Sequence, residues 1–364
     1  MSQVSSSPLQ RLLIERISQQ GPLTFAEYMR MALYEPEYGY YTSGLERIGW
    51  SGDYFTSTDV STLFANCLGR QLHQFWEKLK RPAPFHVLEQ GSGRDHLASG
   101  VRLWAEHEAP EFAEVLNYQT RDISRGEDSL QAEHSIRAHV LLSNELLDAF
   151  PVHMIEIQDG QIYEVYVDYQ DGRLCEWLAL PSSPEIAGYL DRYHIPWQSF
   201  PAGWRAEINL DMLPWQKQAV QLLYPHGFIL TIDYGEKARE LYTHERRKGT
   251  LLCYYRHSTS GRPLLHPGEQ DITAHVNFSA LIDYGRSLGL RLHKYTTQRK
   301  WLAEYGLTEE LEQRRTRDFA LAESQRASDA GQVALLEWYN LRQRAAILTD
   351  HAGMGNFKVL ILRR

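Results

Sequence analysis

Glu89 is followed at once by Gly91 and Gly93 in the run FHVLEQGSGRDHL, residues 85–97. An acid there can hold a cation. Two glycines let the backbone turn with positive φ and let a ligand approach without meeting a Cβ. Val87 and Leu88 predict a buried strand before them, and Leu97–Trp104 a helix whose first N–H groups face the glycines. Strand, acid, Gly-x-Gly and helix make a nucleotide-type cofactor cradle, with a tight turn and a solvated glutamate as the alternative. The third place of a dinucleotide fingerprint is His96, far too large for close helix–strand packing. No Gly-Lys-Ser/Thr follows, which excludes a P-loop. A carboxylate before the glycines would repel a pyrophosphate, whereas it suits the ammonium and sulfonium groups of S-adenosylmethionine. Methyl transfer is the chemistry that follows.

Other candidates sit where strands should end. Asp122 closes the strand-like Tyr118–Ile123, a place from which an acid can accept hydrogen bonds from ribose hydroxyls; a solvated loop aspartate is the other reading. The apolar run His139–Ser143 ends in SNELLDAFP, which puts Asn144, Glu145 and Asp148 at the carboxyl end of a central strand. Open α/β sheets bind ligands there, although Ser143 and Asn144 could also simply start a helix. Thr56 and Ser57, in GDYFTS, are either helix caps or hydroxyl donors to a ligand. Asp271 and His275 stand out in HPGEQDITAH as substrate-side candidates, against the plainer reading of a lone surface histidine. The tyrosines of YEPEYGYYTSG, residues 34–44, either line a pocket or pack an N-terminal cap.

The elements that must hold these residues follow from periodicity. Leu9, Leu12, Leu13 and Ile17 give one helical face stopped by Gly21-Pro22, and Thr24-Phe-Ala-Glu27 is a capping box opening a second helix. An amphipathic helix carries Leu63, Phe64, Cys67, Leu68, Leu72, Phe75, Trp76 and Leu79. Residues 152–180 alternate as three short strands turned at Asp159-Gly160 and Asp171-Gly172, a β-meander inserted in the α/β core. Residues 181–203 read as loop with one helical turn. A helix at 213–223 leads to a strand at 228–232 ending Asp233-Tyr-Gly235, and 236–276 shows little regular pattern. Asn277 caps a helix to Leu288, and Arg291–Thr297 is a strand. Helices at about 308–325 and 331–348 precede a closing strand, Phe357–Leu362. The chain divides into a helical cap and aromatic loop (1–60), a core (61–151 and 204–364) and an insert (152–203). Helix-length spacers between early strands indicate a parallel sheet; the last pair could add antiparallel edge strands.

The bounds are those of an ordinary enzyme. The chain has 364 residues, 43% hydrophobic and 23% charged, enough for a substantial core. A net charge of -8 argues against general nucleic-acid binding. Cys67, Cys175 and Cys253 are far apart and odd in number, which suggests a reducing compartment without disulfide or zinc framework. No apolar run reaches membrane-span length, and the N-terminus lacks a signal-peptide core, so a cytoplasmic location is expected.

Taken together, LTFAEYMRMALYEPEYGYY, GDYFTS, LEQGSGRDHL, SNELLDAFPVH, IDYG, HPGEQDITAHVNFSAL, TTQRKWLAEYGL and MGNFKVLIL resemble the MidA-like methyltransferases. That family includes a mitochondrial complex I assembly factor that methylates a protein arginine. The resemblance implies a class I, Rossmann-like S-adenosylmethionine fold of seven main strands, the last two forming the antiparallel edge. It implies methyl transfer to an arginine of a protein substrate, a respiratory-complex subunit being one candidate. By position, Glu89, Gly91 and Gly93 would hold the amino-acid part of the cofactor, and Asp122 its ribose. Asn144, Glu145 and Asp148 would face the methyl group, with Glu145 gripping the guanidinium first and Asp148 second. Two departures stand out. Asp95 replaces the family's third glycine, where it could crowd the cofactor, and the stretch from Asp122 to Ser143 is short, as if the third strand and its helix were reduced. These departures keep a second reading open, that of a non-catalytic assembly factor; a small-molecule methyltransferase is a third.

Overall fold

The computed structural model describes residues 7–44, 62–125, 137–325 and 329–364. Helix α1 (Pro8–Gln20) ends at Gly21, and α2 (Phe25–Tyr34) begins with the expected capping box. The Glu27 N–H donates to Thr24 Oγ1, and the Thr24 N–H donates to the Glu27 carboxylate. Helix α3 (Thr62–Lys78) buries Leu63, Phe64, Cys67, Leu68, Leu72, Phe75 and Trp76, the face that its spacing predicts. Then come β1 (Phe85–Gln90), α4 (His96–Glu108), β2 (Leu116–Arg121) and β3 (Ala138–Asn144). The meander is β4 (His153–Gln158), β5 (Gln161–Gln170) and β6 (Arg173–Ala179), with positive φ at both residues of each Asp-Gly turn. After it lie β7 (Trp204–Ile208), α5 (Met212–Leu222) and β8 (Leu223–Asp233). The stretch with little regular pattern holds β9 (Leu252–Tyr255) and β10 (Asp271–Thr273), which pair antiparallel. Helix α6 (Phe278–Ser287), β11 (Arg291–Thr297), helices α7 (Leu307–Ser324) and α8 (Asp329–Thr349), and β12 (Lys358–Arg363) complete the labelled elements.

The main sheet runs β11-β12-β8-β3-β1-β2. Strands β2, β1, β3 and β8 are mutually parallel, and β12 is antiparallel to both of its neighbours. The sheet has six strands among the described residues, where the resemblance implied seven. Sixteen residues separate Arg121 from Ala138 (138 − 121 − 1), the short stretch that the sequence shows. Of that interval, residues 126–136 lie outside the described residues. Ile123–Arg125 forms one 3-10 turn.

Alternate residues of the central strands enter two cores, as a sheet buried on both faces requires. Val87, Val140, Leu142, Phe228 and Leu230 pack with α3 and α4; the Phe75 and Phe228 rings stack at 4.0 Å. Leu88, Leu141, Ile229 and Leu360 pack with α5, α6 and the insert. In the second sheet β4 lies between β5 and β7, so this sheet extends past residue 203, where the insert was expected to end. The N-terminal segment joins it: Leu23 pairs with Val167 and Thr24 with Tyr166. A third core fixes α1 and α2 on Val165, Val167, Leu174, Cys253 and Ile272. This places the aromatic loop beside the carboxyl ends of the main strands.

Candidate active site

The turn after β1 is built for close approach. Gly91 has φ 70°, the left-handed region that favours glycine, and a Cβ there would lie 2.8 Å from Leu146 Cδ1, which would have to shift. Gly93 has φ 54°, and a Cβ there would meet nothing within 4 Å among the described residues; open space lies beside it. The Gly91 N–H donates to the Arg121 carbonyl at 2.9 Å, tying the turn to the end of β2. Asp122 follows immediately: Oδ2 accepts from the Gly93 N–H at 2.8 Å, and Oδ1 from the Ser124 N–H at 2.9 Å. The Ser124 hydroxyl also donates to Oδ1.

Asp95 takes the left-handed conformation (φ 61°) that a glycine would adopt without cost. Its carboxylate turns toward Arg125, 3.2 Å from Nη1, and Arg125 also donates to the Gly93 carbonyl at 3.0 Å and to Ser92 Oγ at 3.0 Å. Burial pushes the Asp95 pKa up, but hydrogen bonds from Ser92, Thr120 and Arg125 bring it below the ordinary value. The acid that the sequence marks as a possible obstruction is therefore held by an ion pair. Glu89 is 2% exposed and accepts from the Tyr118 hydroxyl at 3.0 Å; burial pushes its pKa up to about 7. Buried Gln90 accepts from Trp215 Nε1 at 2.8 Å, anchoring α5 beneath the turn.

A second constellation lies at the ends of β3 and β8. Ser143 Oγ donates to Thr231 Oγ1 at 3.1 Å, joining the two strands. Glu145 has φ 49°, a conformation that glutamate rarely takes, and its N–H donates to the Ile232 carbonyl at 2.9 Å. Strain of that kind concentrates at functional sites. Asn144 Oδ1 is buried and has no hydrogen-bond partner among the described residues. Asp148, in the 3-10 turn Leu147–Ala149, is 5% exposed; its Oδ2 accepts from the Tyr234 hydroxyl, and its Oδ1 has no partner among the described residues. Asp233, fully buried at the end of β8, accepts from the Leu147 N–H at 3.0 Å and the Tyr234 N–H at 2.9 Å. Burial, then the charges of Asp148 and Glu145, push its pKa far up. Sequence reasoning left Asp233 and Tyr234 unassigned, although an acid closing a central strand was the signal used for Glu89.

The aromatic loop supplies the facing wall. The Tyr34 hydroxyl donates to the Ala149 carbonyl at 2.9 Å, and its ring stacks on Tyr41 at 5.6 Å. Tyr41 in turn donates to Asp271 Oδ1 at 2.7 Å. The Ala274 N–H donates to the Asp148 carbonyl at 2.9 Å, which ties the end of β10 to the Leu147–Ala149 turn. Burial, then Asp271, Asp148 and Glu145, push the Tyr254 pKa up to about 12. Within the aromatic loop Tyr40 is core, as the packing reading expects, whereas Tyr41 reaches the Asp271 carboxylate. His275 is no surface residue. Its ring meets Tyr234 edge-on at 5.5 Å, its Nδ1 is buried without a partner among the described residues, and burial lowers its pKa to about 4. Thr56 and Ser57 lie outside the described residues.

This donor set suits S-adenosylmethionine. The buried Glu89 carboxylate matches an ammonium, and among the described residues nothing lies within 4 Å of a Cβ at Gly93 and Asn144 Oδ1 lacks a donor. Comparison with known proteins agrees. A family model described as "Putative S-adenosyl-L-methionine-dependent methyltransferase" matches residues 67–296. The chain is 27% identical, over 74% of its length and 68% of the relative's, to the mitochondrial protein arginine methyltransferase NDUFAF7 homolog of Drosophila melanogaster. With the mitochondrial protein arginine methyltransferase NDUFAF7 of Rattus norvegicus it is 25% identical, over 76% and 69%. A crystal structure from Burkholderia thailandensis, bound to S-adenosyl-homocysteine, superposes with a TM-score of 0.81 at 26% identity, covering 99% of this chain and 92% of that one.

Proposed function

The chain belongs to the MidA-like family of S-adenosyl-L-methionine-dependent methyltransferases, and from that premise we propose that it methylates a guanidinium nitrogen of an arginine in a protein. Bound S-adenosylmethionine supplies a methyl group made electrophilic by its sulfonium. The observation that carries the arginine reading is the cluster of Glu145, Asp148, Asp233 and Asp271 walled by Tyr34, Tyr41, Tyr234 and Tyr254. Carboxylates match a guanidinium bidentately, and aromatic faces attract its charge. The relatives named as protein arginine methyltransferases support the same acceptor.

In this reading Glu89, Gly91, Gly93 and Asp122 hold the cofactor, and Glu145 grips the acceptor and aligns one nitrogen. Asp271 and His275 belong to the acceptor side. The ion pair between Asp95 and Arg125 supports a catalytic protein over a non-catalytic scaffold. No described helix is long and apolar enough to cross a membrane. A cytoplasmic location and a protein partner, a respiratory-complex subunit among the candidates, complete the proposal; the mitochondrial location belongs to the relatives' names.

The test supplies labelled S-adenosylmethionine to extracts of cells lacking this protein. Wild type should label arginine. Glu145→Gln should lower the rate by roughly 10²–10³, the scale for one preorganised electrostatic group, with cofactor affinity unchanged. Label on another residue type, or full activity in the variant, would refute the assignment.

A further inference from the structure

Glu145 and Asp148 stand three residues apart on one turn, yet their surroundings differ. Glu145 is half-buried at the strand end, while Asp148 is sunk beneath it. Tyr234 holds one Asp148 oxygen and leaves Oδ1 buried without a hydrogen-bond partner among the described residues. A buried acceptor atom left unpaired is costly, and such atoms call for an explanation. An arginine guanidinium stays protonated in water and has no lone pair to offer an electrophile. Its nitrogen must lose a proton in the course of methylation, and a closed site needs a group to receive it.

We propose that Asp148 Oδ1 takes that proton, with Tyr234 as the positioning residue that aims it. The inference rests on the arginine reading above. As the N–H bond breaks, its electron pair stays on nitrogen as the attacking pair, and an O–H bond forms at Oδ1. The guanidinium becomes a neutral guanidine, the carboxylate a carboxylic acid, and charge is conserved. Glu145 keeps its charge and its grip throughout. Two carboxylates in unlike environments thus divide the work, one as anchor and one as base.

The groups facing Asp148 support this division. Glu145 shares its turn, Asp233 and Tyr234 come from the end of β8, Tyr34 from α2, and Tyr254 and Asp271 from the β9–β10 pair. Burial first, and then the Glu145 charge, raise the Asp148 pKa to about 7 against the pull of the Tyr234 hydroxyl and of the Asp148 and Ala149 N–H groups. A base near neutrality is better matched to a guanidinium than an ordinary carboxylate.

Two readouts test the proposal on the full chain. Infrared titration of the cofactor-free protein should show carboxyl absorbance titrating near neutrality from both Glu89 and Asp148, and Asp148→Asn should lose the Asp148 component, the band that Glu89→Gln keeps. In Tyr234→Phe that band should titrate at higher pH, because a hydrogen bond favouring the ionised form is gone. In arginine labelling, Asp148→Asn should lose about 10²–10⁴-fold in single-turnover rate with S-adenosyl-homocysteine affinity within twofold of wild type. Tyr234→Phe should retain activity with its acid limb moved upward. Labelling by Asp148→Asn at the wild-type rate, or an infrared titration unchanged by that substitution, overturns the base assignment and leaves the arginine reading standing. Absence of arginine label from wild type overturns both.

Discussion

A carboxyl buried as deeply as Glu89 is half protonated near pH 7, where most glutamates are fully charged. Its partner in the fold is a tyrosine hydroxyl, which favours the anion but does not neutralise it. An incoming ammonium would do so, and it can bind only the ionised form. Affinity for S-adenosyl-homocysteine, which keeps the ammonium, should therefore strengthen as pH rises from 6 through about 7 and level off above. Calorimetry across that range should show the rise in wild type and its loss in Glu89→Gln; equal slopes would move the ammonium elsewhere. At this scale the sequence was informative wherever chemistry depends on neighbours in the chain. Glu89, Gly91 and Gly93 declare themselves by adjacency, and Asn144, Glu145 and Asp148 by following an apolar run. The burial of His275 was illegible, because it depends on Tyr234, 41 residues away (275 − 234).

Helix α2 couples a local motif to the distant site. Its start is fixed by Thr24 and Glu27, and its last residue, Tyr34, holds the Ala149 carbonyl beside Asp148. Thr24→Ala removes the side-chain acceptor for the Glu27 N–H and should cost about 1 kcal/mol in urea unfolding. Faster hydrogen exchange should appear in the first turn of α2, and arginine labelling should weaken at low acceptor concentration. Affinity for S-adenosyl-homocysteine should stay within twofold, since the glycine turn is carried by β1 and β2. The caps and helices were readable because their signals lie within four residues. The Tyr41–Asp271 contact spans 230 residues, and no periodicity encodes it. Strands β9 and β10 were missed for a related reason: they are three or four residues long, and their pairing defines them more than their composition.

Across the whole molecule, Glu89, Asp148, Asp233 and Glu207 are all buried acids whose pKa values are raised, first by burial. Each binds its proton more tightly folded than unfolded. Each therefore adds stability below the ordinary carboxylate range and loses it as pH rises through its folded value. For Glu89 the window runs from 4.5 to about 7, a contribution on the order of 3 kcal/mol. The cofactor-free chain should accordingly lose urea stability relative to its Glu89→Gln variant between pH 5 and 8, and saturating S-adenosyl-homocysteine should shrink that difference. The sheet class was legible from strand spacing, and so was the short interval after Asp122; the strand order β11-β12-β8-β3-β1-β2 was not, because it is set by pairings between distant segments. The position of β12 has a further consequence, in the order of synthesis. β11 is made some 60 residues before β12, which is its sheet neighbour among the described residues and also the strand that covers the edge of β8. Until β12 arrives, the edges of β8 and β11 that it will cover stay open, each a template for pairing with another copy. The α7–α8 hairpin, made in between, lengthens that vulnerable interval.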